Sequence, residues 1–111
     1  MAVKVVNLTL EQGVDFSLSL SLRLNGAPIN LTGYQFFSKM RKHPGSSIYY
    51  PFNVSIILPE AFGNIIIEMP SSINSTIPPG RYLYDLKGSN NEDNKIAKYF
   101  KGTVMVEGTL T

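Results

Sequence analysis

The chain has 111 residues, a length that fits one small domain, with 43% hydrophobic residues, 16% charged residues and a formal net charge of +2. The absence of cysteine excludes disulfides and thiolate metal sites. The cations are scattered apart from Lys39, Arg41 and Lys42, so nucleic-acid binding is not expected. No stretch has signal-peptide or membrane-span length, which predicts synthesis in the cytoplasm and no membrane partner.

Apolar residues recur with period two along most of the chain, which is typical of strands. Seven strands are predicted in chain order: Val3–Leu10, Phe16–Leu24, Tyr34–Arg41, Tyr49–Leu58, Ile65–Met69, Arg81–Lys87 and Ile96–Val106. Asn25-Gly26 favours a tight hairpin turn, and Ser71–Asn74 favours a single helical turn. The pattern indicates an all-β fold: an antiparallel β-sandwich, Ig-like or jelly-roll-like, of about seven strands in one domain over residues 1–111.

The second predicted strand has two distinct faces. Its apolar row is expected to point into the core, whereas Ser17, Ser19, Ser21 and Arg23 point the other way. The residues predicted to form the core are Phe16, Leu18, Leu20, Leu22, Phe36, Ile66, Leu83 and Val104. The serine row is interpreted in two ways, as an ordinary solvated face or as a surface that another protein approaches closely.

The sequence offers little catalytic chemistry. His43 is the single histidine and lies in a predicted loop, so no triad or metal set can be completed around it. Asp85 is predicted to form a structural pair with Arg41 near one end of the fold. The acidic segment Asn90–Asn94 is predicted to be a hairpin turn because it lacks the spacing of a calcium loop. No enzymatic activity, cofactor or metal is therefore expected.

Several short motifs, taken in order, resemble a small β-domain of tailed-phage virion proteins, found in baseplate upper proteins and at the N-termini of tail-fibre proteins. Asn30 stands where that family usually has Asp. The matching residues are Gln12, Gly13, Phe16, Gly26, Pro28, Leu31, Thr32, Gly33, Arg41, Pro79, Gly80, Tyr82, Tyr84, Asp85, Leu86, Gly102, Val104 and Val106. The resemblance implies a bacteriophage virion structural protein, located in the assembled particle, in the baseplate, tail, neck or capsid decoration.

The expected partners are other virion proteins and further copies of the same chain. The candidate assembly surface combines the serine row with Arg23 and the apolar pair Val5 and Val6 near the N-terminus. The alternative function is a carbohydrate-binding or adhesin-type β-sandwich in which tyrosines contact a glycan. The two differ in the placement of contacts: along strands and termini in a structural subunit, at one loop end or groove in a binding module.

Overall fold

A computed structural model describes residues 3–110 as an almost entirely β structure. Its strands are β1 (Lys4–Val5), β2 (Leu8–Glu11), β3 (Phe16–Ser21), β4 (Arg23–Leu24), β5 (Ala27–Pro28), β6 (Tyr34–Arg41), β7 (Tyr49–Ile56), β8 (Asn64–Met69), β9 (Gly80–Asn90) and β10 (Ile96–Glu107). A 3-10 turn (Glu60–Phe62) and a short helix, α1 (Ser71–Asn74), are its helical elements. The all-β prediction is confirmed. The longest helix in residues 3–110, α1, has four residues, too few to span a bilayer.

Most strands join one mixed sheet in the order β10, β9, β6, β7, β8, β3. The neighbours along this path are antiparallel, whereas β1 and β2 both pair in parallel with β10, at residues 100–101 and 104–107 respectively. β4 and β5 form a separate hairpin whose turn residues, Asn25 and Gly26, have φ values of 52° and 79°. Two consecutive positive φ values are what a tight type I′ turn requires, as the sequence predicted.

The sheet curls into a half-barrel, and strand β7 forms the bend. Its first half, Tyr49–Phe52, pairs with β6, and its second half, Asn53–Ile56, pairs with β8. The two halves that would be separate sheets of a sandwich are therefore continuous. The predicted antiparallel β-sandwich, Ig-like or jelly-roll-like, is not confirmed. Alternation along strands specifies an inner and an outer face, but twist accumulated across the sheet decides whether the inner face is covered by a second sheet or by curling.

The core lies on the inner face of the curled sheet. The fully buried apolar side chains are Leu10, Leu31, Met40, Ile65, Ile67, Met69, Ile77, Leu86, Val104 and Val106. Rings from three strands meet there, with Phe52 contacting Phe16 and Tyr84 at centroid distances of 6.0 Å. The Tyr84 hydroxyl donates a 2.6 Å hydrogen bond to the Val6 carbonyl, which fixes the N-terminal segment against the sheet. Burial raises the pKa of Tyr84 from its ordinary value of 10.0 to about 12.

The predicted core is partly correct. Leu22 and Val104 are buried, and Phe16, Leu18, Leu20 and Phe36 are partly buried residues that pack against the core. The core prediction is wrong for Ile66 and Leu83, because both side chains lie on the outer face. Their neighbours on each strand take the inner positions: Ile65 and Ile67 on β8, Tyr82, Tyr84 and Leu86 on β9. Runs of apolar residues satisfy either phase of the alternation, so the sequence leaves the facing ambiguous there.

Helix α1, which has the predicted bounds, anchors the connection between β2 and β3. The buried Asn74 side chain accepts a 2.8 Å hydrogen bond from the Gly13 amide and donates a 2.5 Å bond to the Val14 carbonyl. The Asp15 carboxylate accepts a 2.7 Å bond from the Ser71 amide, and hydrogen bonds from Ser71 lower the pKa of Asp15. These contacts set the entry of β3, which bears the serine row.

Candidate interaction surfaces

The first candidate surface lies on the outer face at the β3 edge of the sheet. Ser17, Ser19 and Ser21 are exposed, as their alternation predicted. We define the serine surface as this row with its cross-strand neighbours on β8 and β7: Asn53, Ser55, Asn64, Ile66 and Glu68. The Ser21 hydroxyl donates a 2.8 Å bond to Asn64 Oδ1. The surface is short-chained and nearly neutral, so its backbone is more accessible than that of a face covered by Lys and Glu.

Three residues predicted to share this surface lie elsewhere. The chain leaves the sheet at the buried Leu22, which places Arg23 in the β4–β5 hairpin, where its Nη1 donates to the Gly26 carbonyl at 3.2 Å. Val5 is 64% exposed but lies on β1, at the opposite end of the sheet order from β3. Val6 is partly buried against the core. The order of strands in the sheet decides which residues lie near the serine row, and the alternation of apolar and polar residues does not specify that order.

The second candidate surface is an open groove of about 740 Å³ on the outer face of β6, β9 and β10. Apolar residues, including Phe37 and Leu83, contribute to its lining; they are 42% and 38% exposed. We define the basic groove by its five cations, which are Lys39, Arg41, Lys87, Lys98 and Lys101. They are half of the chain's ten Lys and Arg residues, and Asp85 is the single carboxylate in the lining. The groove is therefore strongly positive although the chain is nearly neutral.

Strand register explains this concentration of charge. Asp85 on β9 lies between Lys39 on β6 and Lys101 on β10, and Lys87 lies between Phe37 and Lys98. These cations are dispersed along the sequence, and only the pairing of three strands brings them to one face. The sequence contained the alternation that points each side chain outward, but no signal for the register that aligns them.

The predicted pair of Arg41 and Asp85 is not formed. Asp85 instead contacts Lys98, with 3.4 Å between its Oδ2 and the lysine Nζ. Arg41 lies across from Leu83, donates a 2.5 Å bond to the Ser46 carbonyl and places its guanidinium 4.8 Å from the Tyr49 ring centroid. Each residue thus has a partner other than the one predicted.

Residues 3–110 contain no group of three or more His, Asp and Glu side chains arranged to hold a metal ion. His43 lies in an exposed turn, where its carbonyl accepts a bond from the Ser46 amide. The acidic segment Asn90–Asn94 forms the β9–β10 connection, with the Asn90 and Asp93 side chains accepting bonds from backbone amides two residues later.

Comparisons with known proteins give a similarity of fold alone. No protein-family model matches the chain, and no curated protein matches it. Among solved structures, InlP of Listeria monocytogenes is similar with a TM-score of 0.53 and 12% identity, covering 94% of this chain and 26% of InlP. A family 123 glycoside hydrolase from Clostridium perfringens has a TM-score of 0.49 and 14% identity, covering 98% of this chain and 24% of the enzyme. The chain thus spans about a quarter of each neighbour.

Proposed function

We propose that this protein is a bacteriophage virion structural subunit that works through protein–protein contacts. The phage part of the proposal rests on the motif resemblance, and the observation that carries the protein–protein part is the apolar side chains left exposed on the outer face. Phe37 and Leu83 line the groove with Val5, and Tyr49 and Met105, both 44% exposed, lie on the outer face of the neighbouring strands. Large contiguous apolar patches are rare on soluble monomers, so neighbouring exposed apolar side chains on one face support an interaction site there.

The sheet edge at β3 supports the same proposal. Within the described residues β3 ends the sheet order, so one side of this strand has backbone groups with no strand beside them. An edge strand with short, neutral side chains can accept a neighbour's strand or terminus, because main-chain hydrogen bonds supply affinity without special side chains. The serine surface therefore suits contact with a second copy of the chain or with another virion protein.

Several residues of the phage resemblance hold loops and turns of the domain in place. Gln12 Nε2 donates a 2.6 Å bond to the Ile77 carbonyl, and Gly13 binds Asn74. Gly33 has φ of 81°, a backbone conformation that residues with a side chain rarely adopt. These motif residues thus maintain the loops and turns that set the shape of the domain.

The alternative function, a glycan-binding or adhesin-type module, has less support. A sugar platform needs exposed aromatic faces, yet Tyr82, Tyr84 and Tyr99 are buried. The exposed Tyr49 ring has the Lys39 ammonium 4.1 Å from its centroid.

Quantitative mass spectrometry of density-gradient-purified particles, from a host producing a phage that encodes this sequence, tests the proposed function. The chain should co-purify with the particles at a fixed copy number relative to the major virion proteins. Its absence from washed particles would contradict the proposal.

A further inference from the structure

The geometry points to an acidic, extended segment of a partner protein as the occupant of the basic groove. The expected segment alternates Asp or Glu with apolar residues, as an exposed strand or chain terminus does. The inference deepens the proposed function, on which it relies for taking the partner to be a protein.

The basic groove has five cations and one carboxylate in its lining, so most of its positive charge is not neutralised. Residues 3–110 contain one ion pair, between Lys98 and Asp85. The Lys98 side chain is 41% exposed and the Asp85 side chain 32% exposed. Lys39, Lys87 and Lys101 line the same groove without a carboxylate partner in that part of the chain. Like charges held on one face repel, and an acidic ligand relieves that repulsion while forming new pairs.

The lining of the groove favours a protein over a nucleic acid. Phe37 and Leu83 leave apolar surface open between the cations, which apolar side chains of a peptide can cover. A single-stranded nucleic acid would need several aromatic faces for successive bases to stack on, but the groove offers only the Phe37 ring, because Tyr84, the other aromatic residue of its lining, is buried. The Tyr49 ring lies outside the lining. The Lys39 ammonium and the Arg41 guanidinium lie over it, 4.1 Å and 4.8 Å from its centroid, so this ring is less open to a stacking base.

The cations have the spacing of a strand. Lys39 and Arg41 are two residues apart on β6, so their side chains leave the same face roughly 7 Å apart. Same-face side chains of an extended peptide have that spacing too. Lys39 and Lys101 lie on either side of Asp85, one strand away each, which puts them about 10 Å apart across the sheet. An extended acidic segment can therefore contact several cations at once.

Amide chemical-shift titration of the full, isotope-labelled chain tests this inference. The probe is a twelve-residue peptide of alternating Glu and Val; the comparison probes are the same peptide with Gln for Glu and a twelve-nucleotide oligothymidylate. We expect the acidic peptide to bind most tightly, to shift amides of Phe37, Lys39, Leu83 and Lys101, and to bind more weakly at high salt. Tighter binding of the oligonucleotide, equal binding of the Gln peptide, or shifts confined to the serine surface would overturn the inference, as would no binding.

Matched variants localise the effect. The variant Lys39→Gln/Lys87→Gln/Lys101→Gln removes three charges from the groove, and Lys4→Gln/Arg23→Gln/Lys95→Gln removes three from exposed positions that do not line it. The groove variant should bind the acidic peptide at least about fivefold more weakly, and the control variant should change binding by less than about twofold. Equal weakening would indicate attraction by net charge alone and overturn the inference. Because the titration uses purified chain, its failure is distinguishable from the chain's absence from particles, which would contradict the proposed function instead.

Discussion

Asn74→Ala should destabilise the fold because Asn74 joins α1 to the β2–β3 connection. The side chain is fully buried and makes two hydrogen bonds, from the Gly13 amide at 2.8 Å and to the Val14 carbonyl at 2.5 Å. Each such bond contributes about 0.5–1.5 kcal/mol net. Gly13 and Val14 are themselves exposed, so water can partly replace the lost partner and the full desolvation cost does not apply. We therefore expect a loss of about 2 kcal/mol and a fall in Tm of roughly 10 °C.

Urea unfolding followed by circular dichroism measures this loss, and an unchanged denaturant slope would assign it to stability. Asn74→Asp keeps the acceptor for Gly13 but buries a carboxylate against the Val14 carbonyl oxygen, so at neutral pH it should cost at least as much as Asn74→Ala. Asn53→Ala, an exposed position on β7, is the matched control and should change stability by less than about 0.5 kcal/mol. If Asn74→Ala behaved like Asn53→Ala, the anchoring role assigned to Asn74 would be refuted.

Two further predictions concern the core. Ile67→Ala should cost about 2–5 kcal/mol because Ile67 is fully buried, whereas Ile66→Ala on the outer face should cost under about 1 kcal/mol; similar losses in urea unfolding would show that the facing is wrong. Tyr84→Phe should cost about 1 kcal/mol at neutral pH through the lost bond to Val6. Because the folded pKa of Tyr84 is raised to about 12, its hydroxyl stabilises the fold fully below pH 10 and progressively less as pH rises toward 12. Thermal unfolding across that range should therefore decline less steeply in Tyr84→Phe, and equal slopes would contradict the assignment.

Local signals in the sequence predicted local structure well. β6 has its predicted bounds, Tyr34–Arg41, and the helical turn α1 also has its predicted bounds, Ser71–Asn74. The Asn25-Gly26 turn was predictable because few residues tolerate two positive φ values in succession. Each of these features is decided by residues adjacent in the chain.

Features decided by distant residues could not be predicted in the same way. The curl of the sheet depends on β7 pairing with β6 over one half and β8 over the other. The basic groove depends on the register that aligns Lys39, Asp85 and Lys101. The Lys and Arg residues are therefore scattered along the sequence, whereas the fold places half of them on one face of the sheet.

Incorporation of surface variants into particles directly tests the assignment of the serine surface as an assembly interface. Ser17→Glu/Ser19→Glu/Ser21→Glu places three negative charges on the serine surface, where exposed substitutions should leave the isolated chain folded. The matched control, Ser47→Glu/Ser72→Glu/Ala97→Glu, adds the same charge at exposed positions outside both surfaces. Copies per purified particle are counted by mass spectrometry with isotope-labelled peptide standards. That assignment predicts a marked fall in copy number for the serine variant and wild-type incorporation for the control. Normal incorporation of the serine variant would contradict it, because the serine surface would then face water in the particle.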